Sequence, residues 1–321
     1  MPELLHSATT MIRPPALRAG ARVALVAPAG PVPAEAVDDA VERVRALDWE
    51  PALGRHARGR HGYLSGTDAE RLEDLNEALR STDNDAIWCL RGGYGTMRLL
   101  ERVEWEALVR RPRPLIGFSD NTALHLAIHR HGVVSFHGPH PAAAEFPPFA
   151  EAALLAALTR PEPAGALPFP AGWPRPETIV SGSAAGPLVG GNLSLIAATR
   201  GTPYQIQSEG AMLCLEEIGE AAYRLDRLLS QLHLAGVLRS VAGIALGAFT
   251  DCTDMRTAGM PSPLEVLRDR LAGLRIPVAA GLPFGHIPES WTLPLGVRAR
   301  LDASARTLEL LEPAVASGGT S

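Results

Sequence analysis

The feature that most constrains this chain is a repeated order in its first half: an apolar strand, a glycine- or proline-bearing turn, then a helix pattern. Arg22–Val26 runs into Ala27-Pro-Ala-Gly30, and Ala34 to Leu47 follows with Val37, Val41, Val44 and Leu47 at helical spacing. Asp85-Ala-Ile-Trp-Cys-Leu90 delivers Arg91-Gly-Gly-Tyr-Gly95, and a helix is expected over Thr96–Leu108. Leu115-Ile116 runs into Gly117-Phe-Ser119 and a third helix pattern, before a short strand at Gly132–Phe136. A further helix is expected from Thr67, an N-cap whose capping-box partner is Glu70, to Arg80. Such alternation calls for a parallel, doubly wound sheet, whose sites form at the carboxyl ends of its strands. Gly30, the Arg91–Gly95 loop and Ser119 all fall at that edge.

The second half reads differently. Strands are expected at Ala211–Ile218, Val241–Phe249 and Val278–Gly281, helices at Tyr223–Ala235 and Pro263–Leu274, and a closing hairpin at Val297–Leu301 and Thr307–Leu311. This pattern predicts a mixed or barrel-like α/β domain. The boundaries expected are a loose N-terminal tail over 1–20, an N-terminal α/β domain over 21–160, and a Pro/Gly-rich linker over 161–184. A C-terminal domain then covers 185–312, and 313–321 is expected to be a disordered tail.

Composition narrows the chemistry. The 321 residues are 46% hydrophobic and 20% charged, with a net charge of −5, so neither nucleic acid nor an anionic membrane is indicated as partner. All 30 basic residues are arginines, which removes Schiff-base, Ser-Lys and P-loop lysine mechanisms. Cys89, Cys214 and Cys252 form no C-x-x-C pair and read as small hydrophobes in a reducing compartment. Met1 to Arg13 carries no apolar core or cleavage site of a secretory signal, and no apolar run reaches a membrane span, so a cytoplasmic location is expected.

Four segments carry candidate chemistry. Gly117-Phe-Ser119 before a helix has the layout of a nucleophile elbow, although Asn121 stands where G-x-S-x-G closes on glycine. The alternative for Ser119 is an ordinary helix cap. Arg91–Gly95 can aim backbone N–H groups at an anion, and beside an exposed serine an oxyanion fits better than a phosphate; a plain tight turn is the other reading. Glu216 and Glu217 are adjacent on a strand and must point to opposite faces: one can serve a site while the other pairs with Arg224 or Arg227. Among ten histidines, His286 is framed by Gly285 and Pro288, a rigid setting suited to a general base. His125 and His129 have i, i+4 spacing, but the glutamate of H-E-x-x-H is missing, so no metal site and no cofactor are expected.

Taken together, the ordered blocks resemble the LD-carboxypeptidases, serine peptidases of the muramoyl-tetrapeptide carboxypeptidase group that also includes microcin C immunity peptidases. The resemblance runs from Arg22 to Leu311. It is carried by Val26-Ala-Pro-Ala-Gly30, Arg91-Gly-Gly-Tyr-Gly95, Ile116-Gly-Phe-Ser-Asp120, Gly190-Gly-Asn-Leu193, Leu215-Glu-Glu-Ile-Gly-Glu220 with Tyr223-Arg-Leu-Asp-Arg227, and Gly281-Leu-Pro-Phe-Gly-His286 with Trp291-Thr-Leu-Pro-Leu-Gly296. It implies a triad of Ser119, His286 and Glu216, with Glu217 as the alternative acid, and backbone N–H groups of Gly93 and Asp120 as oxyanion donors. The implied activity is release of terminal D-alanine from muramoyl tetrapeptides in cytoplasmic peptidoglycan recycling, by a homodimer. The alternative is cleavage of aminoacyl-nucleotide conjugates, for which Trp173 could stack a base. A non-catalytic binding protein on the same scaffold is the third possibility.

Overall fold

The computed structural model describes residues 11–252 and 259–317. In chain order its first elements are β1 (Arg22–Val26), α1 (Ala34–Ala46), β2 (Glu50–Leu53), α2 (Asp68–Arg80), β3 (Ala86–Cys89), α3 (Trp105–Arg110), β4 (Leu115–Gly117), α4 (Thr122–Arg130), β5 (Ser135–His137) and α5 (Pro148–Thr159). There follow β6 (Gly165–Ala166), β7 (Glu177–Val180), β8 (Ser183–Asn192), α6 (Leu193–Ala198), β9 (Met212–Ile218), α7 (Ala222–Leu234), α8 (Val237–Ser240), β10 (Gly243–Thr250) and α9 (Pro263–Leu271). The last four are β11 (Val278–Ala280), β12 (Leu293–Leu295), β13 (Arg298–Asp302) and β14 (Thr307–Leu310).

The N-terminal sheet has the order β12-β5-β4-β3-β1-β2. Its first five strands in the chain are mutually parallel, and only the edge strand β12 is antiparallel. Both faces are buried, as a parallel sheet requires. In β1, Val23 and Leu25 join the core under α1 and α5, while Ala24 and Val26 join the core under α2, α3 and α4. The doubly wound arrangement follows from that two-residue period. β1 lies between β2 and β3, so the strand order reverses at β1, and the crevice between the carboxyl ends of β1 and β3 is the topological switch point.

The second sheet, β6-β14-β13-β8-β9-β10-β11-β7, is mixed. Strands β8 to β11 run parallel, while β7, β13, β14 and β6 pair antiparallel at either side. Along β9, Leu213 and Leu215 face α6 to α9, whereas Met212 and Cys214 face the core built by Phe284, Trp291 and β13–β14.

Three boundaries differ from expectation. The stretch 161–184 supplies β6, β7 and the start of β8 to the second sheet instead of standing apart as a linker. Its prolines sit before β6 and in the connection between β6 and β7, outside the strand ladders, where a missing N–H costs nothing. β12, from the C-terminal half, completes the N-terminal sheet. Residues 11–17 and 314–316 are packed: Leu17 and Val315 are buried, and Ala16 N–H donates to Ala316 O at 2.9 Å. Residues 1–10 and 318–321 lie outside the described residues. Thr96–Leu108 is two single 3-10 turns followed by α3, because Val103 takes an extended conformation that ends the second turn before α3 begins. The capping box at Thr67 and Glu70 forms as expected. No helix among the described residues is long and apolar enough to cross a membrane.

Candidate active site

β4 ends at Gly117, where an added Cβ would lie 3.1 Å from both Cys89 Cβ and Asn121 Nδ2. The chain then turns sharply: Ser119 has φ of 62°, in the left-handed region that costs a non-glycine residue of order 1–3 kcal/mol. Strain of that kind at a serine between strand and helix is the backbone signature of a nucleophile elbow. Thr96 clamps the turn with two hydrogen bonds. Thr96 N–H donates to Asp120 Oδ2 at 2.8 Å, and Thr96 Oγ1 donates to Asp120 O at 2.6 Å. Burial pushes the Asp120 carboxyl upward, and the Thr96 bonds pull it back.

Asn121 explains the missing glycine of the motif. Its side chain is fully buried and its Nδ2 lies 3.1 Å from Phe118 O, 3.3 Å from Arg91 O and 3.0 Å from His140 Nε2. A glycine there would leave those acceptors without this donor. Asn121→Gly, which writes the full G-x-S-x-G into the chain, is therefore expected to lower stability by about 2–3 kcal/mol. Urea unfolding of the variant measures this; an unchanged midpoint would contradict it.

The Gly-rich loop after β3 lies against the serine. A Cβ on Gly92 would sit 2.7 Å from Ser119 Cβ, 2.8 Å from Ser119 Oγ and 3.2 Å from Asp120 N. Only glycine allows this approach. Gly93, at φ of 104°, follows.

Glu216 and His286 come from the C-terminal half, on β9 and on the loop between β11 and β12. Alternation along β9 turns Glu216 to the Phe284 side and Glu217 to the helix side. Glu216 is fully buried, and its Oε2 is 2.6 Å from His286 Nδ1. Gly285 makes this possible: a Cβ there would lie 2.7 Å from Glu216 Cβ. Thr250 Oγ1 donates to His286 O at 2.9 Å and holds the loop. Across the sheets, the His286 ring packs on Phe118, the residue before the serine, with centroids 4.7 Å apart. Phe118 in turn stacks on His140 at 4.4 Å. The hydrogen-bonded pair of His286 and Glu216 thus lies against Phe118, the neighbour of Ser119, where the two sheets meet. The junction is fixed by Thr122 Oγ1, which accepts from Asn192 N–H at 3.0 Å.

Glu217 has different partners. It accepts from Asn192 Nδ2 at 2.7 Å, Ser194 N–H at 2.8 Å and Ile218 N–H at 2.9 Å. Neither arginine expected to pair with the second acid does so: Arg224 pairs with Glu220, and Arg227 lies over the Tyr223 ring. Three backbone and amide donors satisfy this buried carboxylate at the start of α6.

The histidines behind the elbow are structural. His125 Nε2 donates to Gly117 O at 2.8 Å, so its Nδ1 accepts from Ser135 Oγ at 2.9 Å. His129 Nδ1 lies 3.1 Å from Gln207 Oε1, apart from His125's partners. Among the described residues no group of three or more His, Cys, Asp or Glu side chains is placed to hold a metal ion. Burial lowers His125 to about 4 and His140 to about 3. An unfolded histidine takes up its proton near pH 6.5, whereas buried His125 stays neutral until about 4. In that window the unfolded chain binds more protons, so this stability is complete above pH 6.5 and is lost as the pH falls toward 4. His125 alone contributes about 3 kcal/mol of this dependence. Unfolding free energies at pH 7 and pH 4.5 check it, and His125→Gln should flatten the difference.

Sequence reasoning passed over Phe118, His140 and Arg71. Their signal lies in long-range contact, not in pattern: Phe118 meets His286, His140 meets Asn121, and Arg71 donates to Pro28 O and Gly95 O.

Residues 23–138 match the model of the LD-carboxypeptidase N-terminal domain, and residues 185–301 match that of the LD-carboxypeptidase C-terminal domain. A Streptomyces coelicolor protein, named provisionally as a carboxypeptidase, is 42% identical over 96% of this chain and 99% of its own length. The murein tetrapeptide carboxypeptidase of Pseudomonas aeruginosa is 35% identical over 88% of this chain and 94% of its own. A solved structure of a microcin C7 self-immunity protein, wild type without ligand, superposes with a TM-score of 0.87 at 25% identity, covering 95% of this chain and all of the other. The chain belongs to the LD-carboxypeptidase family, whose members act as peptidases.

Proposed function

We propose that this chain is a serine-type LD-carboxypeptidase that hydrolyses the amide between the L-centre of a diamino acid and a terminal D-alanine in murein tetrapeptides. The observation that supports the reading is a histidine hydrogen-bonded to a buried carboxylate and packed on Phe118, the residue before a serine at positive φ. Glu216 accepts from His286 Nδ1–H and fixes the tautomer that leaves Nε2 free to act as base. His286 takes the Ser119 proton as Oγ attacks the carbonyl. The Gly93 and Asp120 N–H groups receive the oxyanion, and His286 protonates the departing D-alanine amine. Water then resolves the acyl-enzyme, with the same histidine as base. The relative from Pseudomonas aeruginosa, by its name, supports the murein substrate. In this reading the enzyme works as a cytoplasmic homodimer on recycled muropeptides and needs no cofactor.

A second reading has its own observation. Trp173, Phe249 and Pro176 line an apolar cavity of about 400 Å³, and the microcin immunity relatives include structures bound to aminoacyl-sulfamoyl nucleosides. Against a free stacking role, Trp173 Nε1 donates to Gly281 O at 2.9 Å, which suits a residue packed at a junction. Mass spectrometry of products from a diaminopimelate tetrapeptide and from an aspartyl-sulfamoyl adenosine conjugate, run in parallel, separates the two. D-Alanine release supports the first reading. Cleavage of the conjugate alone overturns it in favour of the second.

A further inference from the structure

The block Ala27–Gly30 has no part in the triad, yet it is braced unusually well. Ala27 O accepts from Ser65 Oγ and Ala29 O from Ser65 N–H, the latter at 3.0 Å. Pro28 O accepts from Arg71 Nη1, and Pro31 O from Arg91 Nη1 at 2.7 Å. Arg71 is buried, bonded to Asp68, and also donates to Gly95 O at 3.0 Å, so it ties this turn to the far end of the Gly-rich loop. From the braced turn, Gly30 N–H donates to Gly92 O at 2.9 Å across the switch-point crevice between β1 and β3.

That bond fixes one peptide plane. In a trans peptide the C=O of residue 92 and the N–H of residue 93 point in opposite directions. Gly30 lies on one side of the loop, 3.3 Å from where a Gly93 Cβ would be, while Ser119 and Asp120 N lie against Gly92. We infer that Gly30 is a positioning residue for catalysis: by holding Gly92 O, it turns the Gly93 N–H toward the oxyanion formed at Ser119. The inference rests on the reading of Gly93 as an oxyanion donor. It also gives a reason for glycine at position 30. Gly30 is not in the left-handed region, so its backbone accepts alanine, but a Cβ would sit 3.0 Å from Gly92 O and push that carbonyl away.

The test compares wild type, Gly30→Ala and Arg71→Met. Three quantities are measured: kcat and KM on the tetrapeptide, affinity for a peptidyl boronic acid whose boron replaces the scissile carbonyl, and affinity for the tripeptide product. Circular dichroism establishes folding of each variant. Displacing one oxyanion donor should lower kcat by about 100-fold. Boronate affinity should fall in parallel, while KM and tripeptide affinity hold. Arg71→Met, which loosens the brace without crowding Gly92, should show the same selective loss at about tenfold. It carries the test if Gly30→Ala does not fold. Unchanged kcat, or equal losses of boronate and tripeptide affinity, would overturn the inference while leaving the site reading intact. A wild type that neither hydrolyses the peptide nor binds the boronate would overturn the site reading, and the inference with it.

Discussion

Ser119→Gly is expected to be inactive and at least as stable as the wild type. Loss of the hydroxyl removes the attacking atom, and serine hydrolases stripped of their nucleophile lose on the order of 10⁶ in kcat. Stability should move the other way. Ser119 sits at φ of 62°, where a side chain is strained and glycine is not. Ser119→Ala keeps the strain and loses activity equally. The glycine variant should therefore exceed the alanine variant by about 1 kcal/mol, measured by urea unfolding. Equal stabilities would mean that the turn carries no strain, and activity close to wild type in either variant would remove Ser119 from the chemistry.

Glu216→Gln and Glu217→Gln should separate two adjacent acids that differ in sequence by one position and in role entirely. Glu216 is the hydrogen-bond partner of His286 at 2.6 Å. An amide there favours the wrong imidazole tautomer and no longer stabilises the imidazolium, so kcat should fall by about 10⁴. Glu217 holds Asn192, Ser194 and its own neighbour, 2.7–2.9 Å away, and its loss of charge weakens those bonds. Glu217→Gln should lower stability by about 1–2 kcal/mol with kcat changed only a few-fold. Steady-state kinetics and urea unfolding on the same preparations check both. A reversed pattern would exchange the acids.

The N-terminal fold was legible because its signals are local. The strand of Arg22–Val26, the capping box at Thr67 and the apolar run before Gly117 each set an element by period or by cap, and the parallel sheet follows from their alternation. The antiparallel edge strand β12 was not legible. Leu293-Pro-Leu295 is three residues long, and its place beside β5 is decided by a partner 156 positions earlier, His137 against Leu293. The strands within 161–184 were hidden in the same way: prolines read as linker signals, yet they flank segments whose pairing comes from β14 and β11.

At the site, alternation on β9 said that the two glutamates diverge, but not which one meets His286. That follows from Gly285, whose lack of a side chain lets the histidine loop close on Glu216. The departure from G-x-S-x-G at Asn121 read as a weakness of the motif. In the folded chain it is a hydrogen-bonding hub that joins Phe118, Arg91 and His140. A residue of that kind has no pattern of its own, because two of the atoms it meets, Arg91 O and His140 Nε2, belong to distant turns.

The most direct test of the central claim is acid-quenched mass spectrometry of the enzyme during turnover of the diaminopimelate tetrapeptide. The account predicts an adduct with the mass of the tripeptide acyl group, mapped to the peptide that contains Ser119, formed as D-alanine appears and absent from Ser119→Ala. Release of D-alanine that persists in Ser119→Ala, with no acyl adduct on the wild type, would contradict it.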